Sequence, residues 1–428
     1  MQLHPEFVKR MEEELGTEMP AFLSSYEEKS CVGLRMSAHK GYDPGFERVP
    51  WCPRGYVVPD GLRMGKDPLH AAGAYYLQEP SAMAPAEALG VRPGMRVLDL
   101  CAAPGGKSTQ LGDHLLGGGL LVANEIHPSR ARILLENVER MGIPNAVVLN
   151  ESPDRIAKHF GAWFDAVLVD APCSGEGMFR RDPDAISQWT PDAPQQCHER
   201  QLEILESAAQ CLRGGGAMVY STCTFNRIEN ERTIEVFLAR HPEFQLDTTL
   251  SLPGIPCRDG MAHLYPHRLA GEGHFLARMI KSGGDARELS PFRAQKPDPR
   301  WLRFAKEALP GLFYNAFYVQ GEWLCALPDG LPDLTGLRVL RAGIQLGRLA
   351  AGRIEPAHAL ALAVDPRLAA TRFPIEEADA LRYLHGETMS GSGNGWGLVT
   401  YKDLALGWGK CSGGQIKNHY PKGLRWKS

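Results

Sequence analysis

From residue 96 to residue 281 the chain alternates short apolar runs with segments of helical periodicity. Residues 96–100 and 120–125 are mostly hydrophobic, the pattern of strands covered on both faces. Between them, 105–116 opens on a Gly pair and reads as a helix. In 129–140, Ile133, Leu134 and Val138, with Met141 just beyond, fall at helical spacing. Residues 146–149 and 164–170 repeat the short apolar run. A long helix is predicted over 195–212, stopped by Gly214-Gly215-Gly216, and 217–222, 228–240 and 275–280 predict strand, helix and strand. Strands alternating with helices predict a parallel, doubly wound α/β sheet, whose ligands bind beyond the carboxyl ends of its strands.

The flanks break this rhythm. A helical start over 5–15 leads into Tyr42-Asp43-Pro44-Gly45 and Trp51-Cys52-Pro53-Arg54-Gly55, so 1–75 predicts a small α+β module. Residues 282–299, rich in Gly and Pro, read as a linker. Beyond it 300–428 is β-rich, with runs such as Trp323-Leu324-Cys325-Ala326-Leu327 and turns such as Ser390-Gly391-Ser392-Gly393.

The 428 residues are too many for one ordinary domain, and 43% hydrophobic with 23% charged residues is the composition of a soluble globular protein. With no apolar signal run at the start and no apolar stretch of about 18 residues, a cytoplasmic protein with no membrane partner is expected. Ten cysteines without a C-x-x-C pair argue against a disulfide framework and against zinc, so no metal is expected. A net charge of −3 is not that of a general nucleic-acid binder. The last 28 residues differ: Lys402, Lys410, Lys417, Lys422, Arg425 and Lys427 face only Asp403, with Trp408, His419, Tyr420 and Trp426 among them. Cations beside flat rings suit RNA phosphates and unstacked bases; the alternative is a solvated end.

Candidate chemistry falls at three strand ends. The first strand runs into Asp99-Leu100-Cys101-Ala102-Ala103-Pro104-Gly105-Gly106-Lys107-Ser108. A dinucleotide loop needs G-x-G-x-x-G, and this one has a single Gly pair. A phosphate-cradling loop needs a first Gly where Cys101 stands, and its nest of backbone donors is incomplete without it. Glu125 ends the second strand, where a carboxylate grips ribose hydroxyls, and so points to a nucleoside cofactor; the alternative is an ordinary carboxylate facing water. Cys173, in Asp170-Ala171-Pro172-Cys173-Ser174-Gly175, and Cys223, in Ser221-Thr222-Cys223-Thr224, follow two further strands. Two thiols at that edge predict attack on an electron-poor ring; the alternative is a pair of inert buried thiols.

Taken together, these motifs make the chain resemble the Sun family of RNA (cytosine-5) methyltransferases, and within it the bacterial enzymes acting on 16S rRNA. His70-Ala71-Ala72-Gly73 through Gln78-Glu79-Pro80-Ser81 resembles a segment of the same family, and Gly407-Trp408-Gly409-Lys410 with Lys417-Asn418-His419-Tyr420-Pro421-Lys422-Gly423 resembles its PUA-like tail. The resemblance implies a Rossmann-like class I methyltransferase sheet over 76–281, an RNA-contacting module over 1–75, the linker 282–299, a middle region over 300–375 and a PUA-like RNA-binding domain over 376–428. It implies S-adenosyl-L-methionine as cofactor and RNA as partner, rRNA or the small ribosomal subunit first. Cys101, Ala102, Ala103, Pro104, Gly105, Gly106 and Lys107 would line the methionine part of the cofactor, Glu125 its ribose, and Asp170 would face both cofactor and base. The family often carries an Asp after the third strand for the adenine; here Ser152 stands in that place, with Asn150 close by.

By the same resemblance Cys223 adds to carbon 6 of cytosine, which makes carbon 5 enamine-like; Cys173 assists release, and Asp170 and Lys107 complete the catalytic set. DNA cytosine-5 enzymes attack instead from the Pro-Cys thiol, which here is Cys173. The same chemistry on tRNA or 23S rRNA is one alternative; a non-catalytic RNA-binding assembly factor is another.

Overall fold

The computed structural model describes residues 3–427. Among these residues a ten-stranded sheet forms the centre: β1 Arg96–Asp99, β2 Leu120–Asn124, β3 Ala146–Leu149, β4 Phe164–Asp170, β5 Leu212–Thr222, β6 Phe244–Leu246, β7 Cys257–Arg258, β8 Met261–Leu264, β9 His274–Lys281 and β10 Val339–Ala342. Its order is β7-β8-β9-β5-β4-β1-β2-β3-β10, with β6 paired to β9. From β5 to β3 all neighbours are parallel, while β9 and β10 run antiparallel at either side. The chain builds outward from β1 through β2 to β3, then crosses back to β4, so the sheet switches direction at β1 and β4. That is where a doubly wound sheet opens a crevice.

The strands alternate between two cores. Leu98, Val122, Val147 and Val167 pack with Phe160, Trp163 and Leu205 on one face, while Val97, Leu121, Val148 and Leu168 pack with Leu89, Leu111 and Leu134 on the other. Side chains of period two therefore fill both layers, as the near-continuous hydrophobic runs require.

Three departures from the expected pattern have physical causes. The Gly214–Gly216 trio does not end a helix: the helix Ala193–Cys211 passes directly into β5, and the glycines lie inside that strand. A Cβ on Gly214 would come within 1.4 Å of the Gly283 carbonyl oxygen, so backbone approach, not helix termination, explains it. The sheet also does not close within 76–281. β10 pairs with β3, and the Asn150 N–H donates to the Arg338 carbonyl at 3.0 Å, which brings the chain beyond the linker back to the methyltransferase-like edge. Finally, the last sheet takes a strand from Arg372–Pro374, ahead of the expected boundary at 376.

The N-terminal sheet, Gly33–Met36 with Glu47–Arg48, Gly55–Val57 and Tyr75–Leu77, shares a core with the C-terminal end: Leu34, Met36 and Tyr75 pack with Phe373, Tyr383 and Leu406. No helix among the described residues is long and apolar enough to cross a membrane.

Candidate functional site

The ends of β1, β2, β4 and β5 open on one cavity of about 1040 Å³. Cys101, Ala102, Ala103, Pro104, Gly106 and Lys107 line it from the loop after β1, Glu125 from the end of β2, and Asp170, Cys173 and Cys223 from the other side. Gly105, at a φ of +114°, caps the helix Gly106–His114 in a backbone state that favours glycine. At Gly106 a Cβ would sit 3.3 Å from the Tyr76 and Gln78 side chains, so the N-terminal module closes over the loop.

Lys107 is the hub. Its Nζ lies 2.8 Å from Asp170 Oδ2 and 3.3 Å from His274 Nε2, and the Ser221 hydroxyl donates to Asp170 Oδ1 at 2.7 Å. Burial opposes ionisation of Asp170, yet Lys107 and His274 hold its carboxyl well below the usual carboxylate range. Burial opposes the Lys107 ammonium likewise, but Asp170 outweighs it and the amine is raised. Asp170 is therefore an acceptor at neutral pH, and Lys107 a permanent donor beside it.

The two thiols meet. Cys173 Sγ and Cys223 Sγ are 3.2 Å apart. Two adjacent half-buried thiols do not both ionise, and they divide unequally: the hydrogen bond from Cys173 draws Cys223 down, while the same contact, with desolvation, pushes Cys173 well up. Their loops are pinned together. The Ser174 and Thr224 hydroxyls are 3.0 Å apart, Ser174 N–H donates to Glu229 at 2.9 Å, and Gln201 donates to the Pro172 carbonyl at 3.1 Å.

Two further carboxylates, Glu125 and Asp99, line the cavity. Glu125 accepts from the His127 N–H at 2.9 Å and lies 3.4 Å from Arg130. Asp99 is fully buried; burial raises it to about 7, and its Oδ1 has no partner although Ser108 donates to Oδ2 at 2.6 Å.

The adenine candidates part company with the cavity. Asn150 spends its amide on the carbonyls of Glu125 and Ile126 at 2.7 and 2.9 Å, and its oxygen accepts from Arg338 at 3.0 Å. Ser152 caps the next helix and its hydroxyl bonds Asp154. Pro153 and Asp154 are the cavity-lining residues there. In the C-terminal segment, Trp408 and Tyr420 are core residues: Trp408 donates to the Ala357 carbonyl at 2.8 Å, and Tyr420 packs on Tyr383. Neither offers a face to RNA. Half-buried Trp396 pairs with exposed His419, ring centroids 4.4 Å apart, with Lys410 over Trp396 and Lys417 opposite Lys410 on the next strand.

His274, Asp99 and Glu79 also belong to the site but carried no sequence signal of their own. His274 is a single histidine at a strand start, and Glu79 sits in a segment whose resemblance assigned it no role.

A family model described as 16S rRNA methyltransferase RsmB/F matches residues 86–280. Models for the RsmF N-terminal domain, the RsmF first C-terminal domain and the RsmF PUA domain match 3–80, 303–364 and 370–426. The ribosomal RNA small subunit methyltransferase F of Shewanella loihica is 33% identical over 422 residues, 91% of this chain and 86% of that protein. The protein of the same description from Shewanella amazonensis is 34% identical over 406 residues, 89% of this chain and 86% of its own. Among solved structures, a methyltransferase homolog from Pyrococcus horikoshii is 28% identical with a TM-score of 0.54, over 62% of this chain and 91% of that one.

Proposed function

The chain belongs to the family of ribosomal RNA small subunit methyltransferases F, and from that premise we propose that it methylates carbon 5 of a cytosine in 16S rRNA, using S-adenosyl-L-methionine, within the cytoplasm. One observation carries the proposal: a thiol pair 3.2 Å apart opens on the same cavity as the loop after β1 and Glu125.

The residues fit the cofactor. Asp99 Oδ1, buried and without a partner at the cavity wall, is the acceptor an ammonium group needs, and Glu125 presents a carboxylate where a ribose diol would lie. When bound, the cofactor supplies an electrophilic methyl group. On the substrate side Cys223 adds to carbon 6, Asp170 accepts from the exocyclic amino group, and the Lys107 ammonium balances charge pushed onto ring N3. Cys173 assists release.

The direct test is transfer of labelled methyl from S-adenosylmethionine to small-subunit rRNA, with bisulfite sequencing to locate the mark. A protected cytosine on tRNA or 23S rRNA alone would move the substrate; no protected cytosine at all would sink the reading.

Glu125→Ala should weaken S-adenosylmethionine binding by about 1.5–3 kcal/mol, the worth of a charge-assisted hydrogen bond, or roughly 10- to 150-fold. Calorimetry finding an unchanged affinity would place the ribose elsewhere.

RNA is held in part by the C-terminal face that carries Trp396, His419, Lys410 and Lys417. Lys410→Ala with Lys417→Ala should weaken RNA binding and flatten its dependence on log salt by about 1.5, since two fewer counterions are released. A slope identical to the parent's would make that face a solvated surface.

A further inference from the structure

We propose that His274, clamped by Glu79 on one side and set against Lys107 and Asp170 on the other, is a positioning residue whose charge favours ionisation of the Cys223 thiol; this rests on Cys223 being the nucleophile.

The sheet register supplies the first argument. β9 runs antiparallel to β5 with Phe275 opposite Thr222 and Leu276 opposite Ser221. The last pair of that ladder is Phe275 with Thr222, so His274 begins β9 beside the end of β5, from which Cys223 follows. Both residues line the cavity.

Charge balance supplies the second. Four ionisable groups from different elements face the imidazole. Glu79 Oε1 lies 3.5 Å from Nδ1, and the Ser81 hydroxyl is also 3.5 Å from it. Lys107 Nζ, from the helix after β1, is 3.3 Å from Nε2, and Asp170 Oδ1, at the end of β4, is 3.8 Å from it. Cys223 follows the end of β5 and lines the same cavity. Glu79 is itself fixed as an anion: it accepts from Ser81 Oγ at 2.7 Å and from the Glu272 N–H at 3.1 Å, and these bonds with His274 hold it at about 2 despite burial. The set therefore holds two anions, Glu79 and Asp170, against the Lys107 cation. A second cation, at His274, brings the set to neutrality while Cys223 is a thiol; without it a Cys223 thiolate would be a third anion against Lys107 alone. Burial and Lys107 act to lower His274, but Asp170 and Glu79 outweigh them and raise it to about 9. The same imidazolium, after the hydrogen bond from Cys173, acts to lower the Cys223 thiol against the cost of burial.

Chemically the device separates two duties. Lys107 remains committed to Asp170 and the base, while His274 carries the charge that a thiolate needs. The sign follows directly: losing a cation beside a thiol raises the pH at which it ionises and lowers its reactivity at neutral pH.

The test is the pH dependence of Cys223 alkylation by iodoacetamide in the full chain, followed on the Cys223 peptide by mass spectrometry, without RNA. In His274→Gln the midpoint should rise by about one pH unit and alkylation at pH 7.5 should slow about tenfold. His274→Arg, which keeps a cation, should restore much of the parent rate. Glu79→Gln, which leaves the imidazole in place but removes its anion, should shift the midpoint in the same direction as His274→Gln, and it serves if the latter does not fold. Unchanged Cys223 midpoints in the folded Gln variants would overturn the inference, and would leave the assignment of Cys223 as nucleophile to its own test by alanine replacement.

Discussion

Cys223→Ala is expected to lower methyl transfer by on the order of 10⁴-fold or more, about 5 kcal/mol of transition-state stabilisation, with S-adenosylmethionine affinity unchanged. Carbon 5 of cytosine does not take a methyl group unless a nucleophile has added at carbon 6, and Cys223 is the thiol that its surroundings push toward the anion. Cys173→Ala should behave differently. In the parent, Cys173 is held as a thiol chiefly by its contact with Cys223. Once Cys223 Sγ is bonded to carbon 6 it carries no charge, and that restraint on Cys173 ends. Cys173 can then ionise and take the proton from carbon 5; the released electron pair restores the ring double bond and expels the Cys223 thiolate. Without Cys173 the attack proceeds and the elimination stalls, so a covalent protein–RNA species should accumulate. Denaturing electrophoresis with labelled RNA reads the difference. An adduct in Cys223→Ala and none in Cys173→Ala would reverse the two roles.

The catalytic edge was legible in the sequence because parallel strands buried on both faces write themselves as short hydrophobic runs, and the residue after each run is at the functional edge by construction. Cys101–Pro104, Gly106, Lys107, Glu125, Asp170, Cys173 and Cys223 line the cavity there, with Gly105 capping the adjoining helix. What the sequence hid depends on partners distant along the chain. β10 pairs antiparallel with β3 from beyond the linker, and nothing in Val339–Ala342 encodes that neighbour. His274 takes its meaning from Lys107, Asp170 and Glu79, neighbours that only the fold brings to it. Gly214–Gly216 has the composition of a helix stop, but it lies inside a strand, where Gly214 meets the Gly283 backbone and Gly216 the Leu212 side chain and Asp165 carbonyl. Aromatic residues among lysines suggest RNA contacts whether the rings point out or in; Trp408 and Tyr420 are core residues, Trp396 is half-buried against the core of Trp408, and His419 is exposed. At the turn after β3, Asn150 spends its amide on backbone carbonyls and the Ser152 hydroxyl bonds Asp154, so neither residue lines the cavity.

The N-terminal module is joined to the cofactor loop through one buried cation, and its removal should be the costliest single change outside the catalytic centre. Arg35, in the strand Gly33–Met36, is fully buried. Its guanidinium donates to Asp113 Oδ2 at 2.8 Å, to Thr109 Oγ1 at 2.7 Å, to the Gly106 carbonyl at 3.2 Å and to Gln78 Oε1 at 3.3 Å. Three of those acceptors lie on the helix Gly106–His114 that begins at the cofactor loop. Burial already raises Asp113, and Arg35 is its closest charged partner. Arg35→Ala removes that cation, leaves a carboxylate in a dry junction and takes a donor from Thr109 Oγ1 and Gln78 Oε1, while the Gly106 carbonyl still accepts from the Thr109 hydroxyl at 3.1 Å. Breaking a buried pair from one side costs about 3–5 kcal/mol. In urea the first unfolding transition should move to lower denaturant by the corresponding amount, and S-adenosylmethionine should bind more weakly because the loop loses its cover. Arg35→Met with Asp113→Leu should recover much of the stability, since an apolar pair of similar volume leaves no charge stranded. A loss below about 1 kcal/mol in Arg35→Ala, the range of an exposed pair, would mean that the module is held to the methyltransferase sheet by its apolar contacts alone.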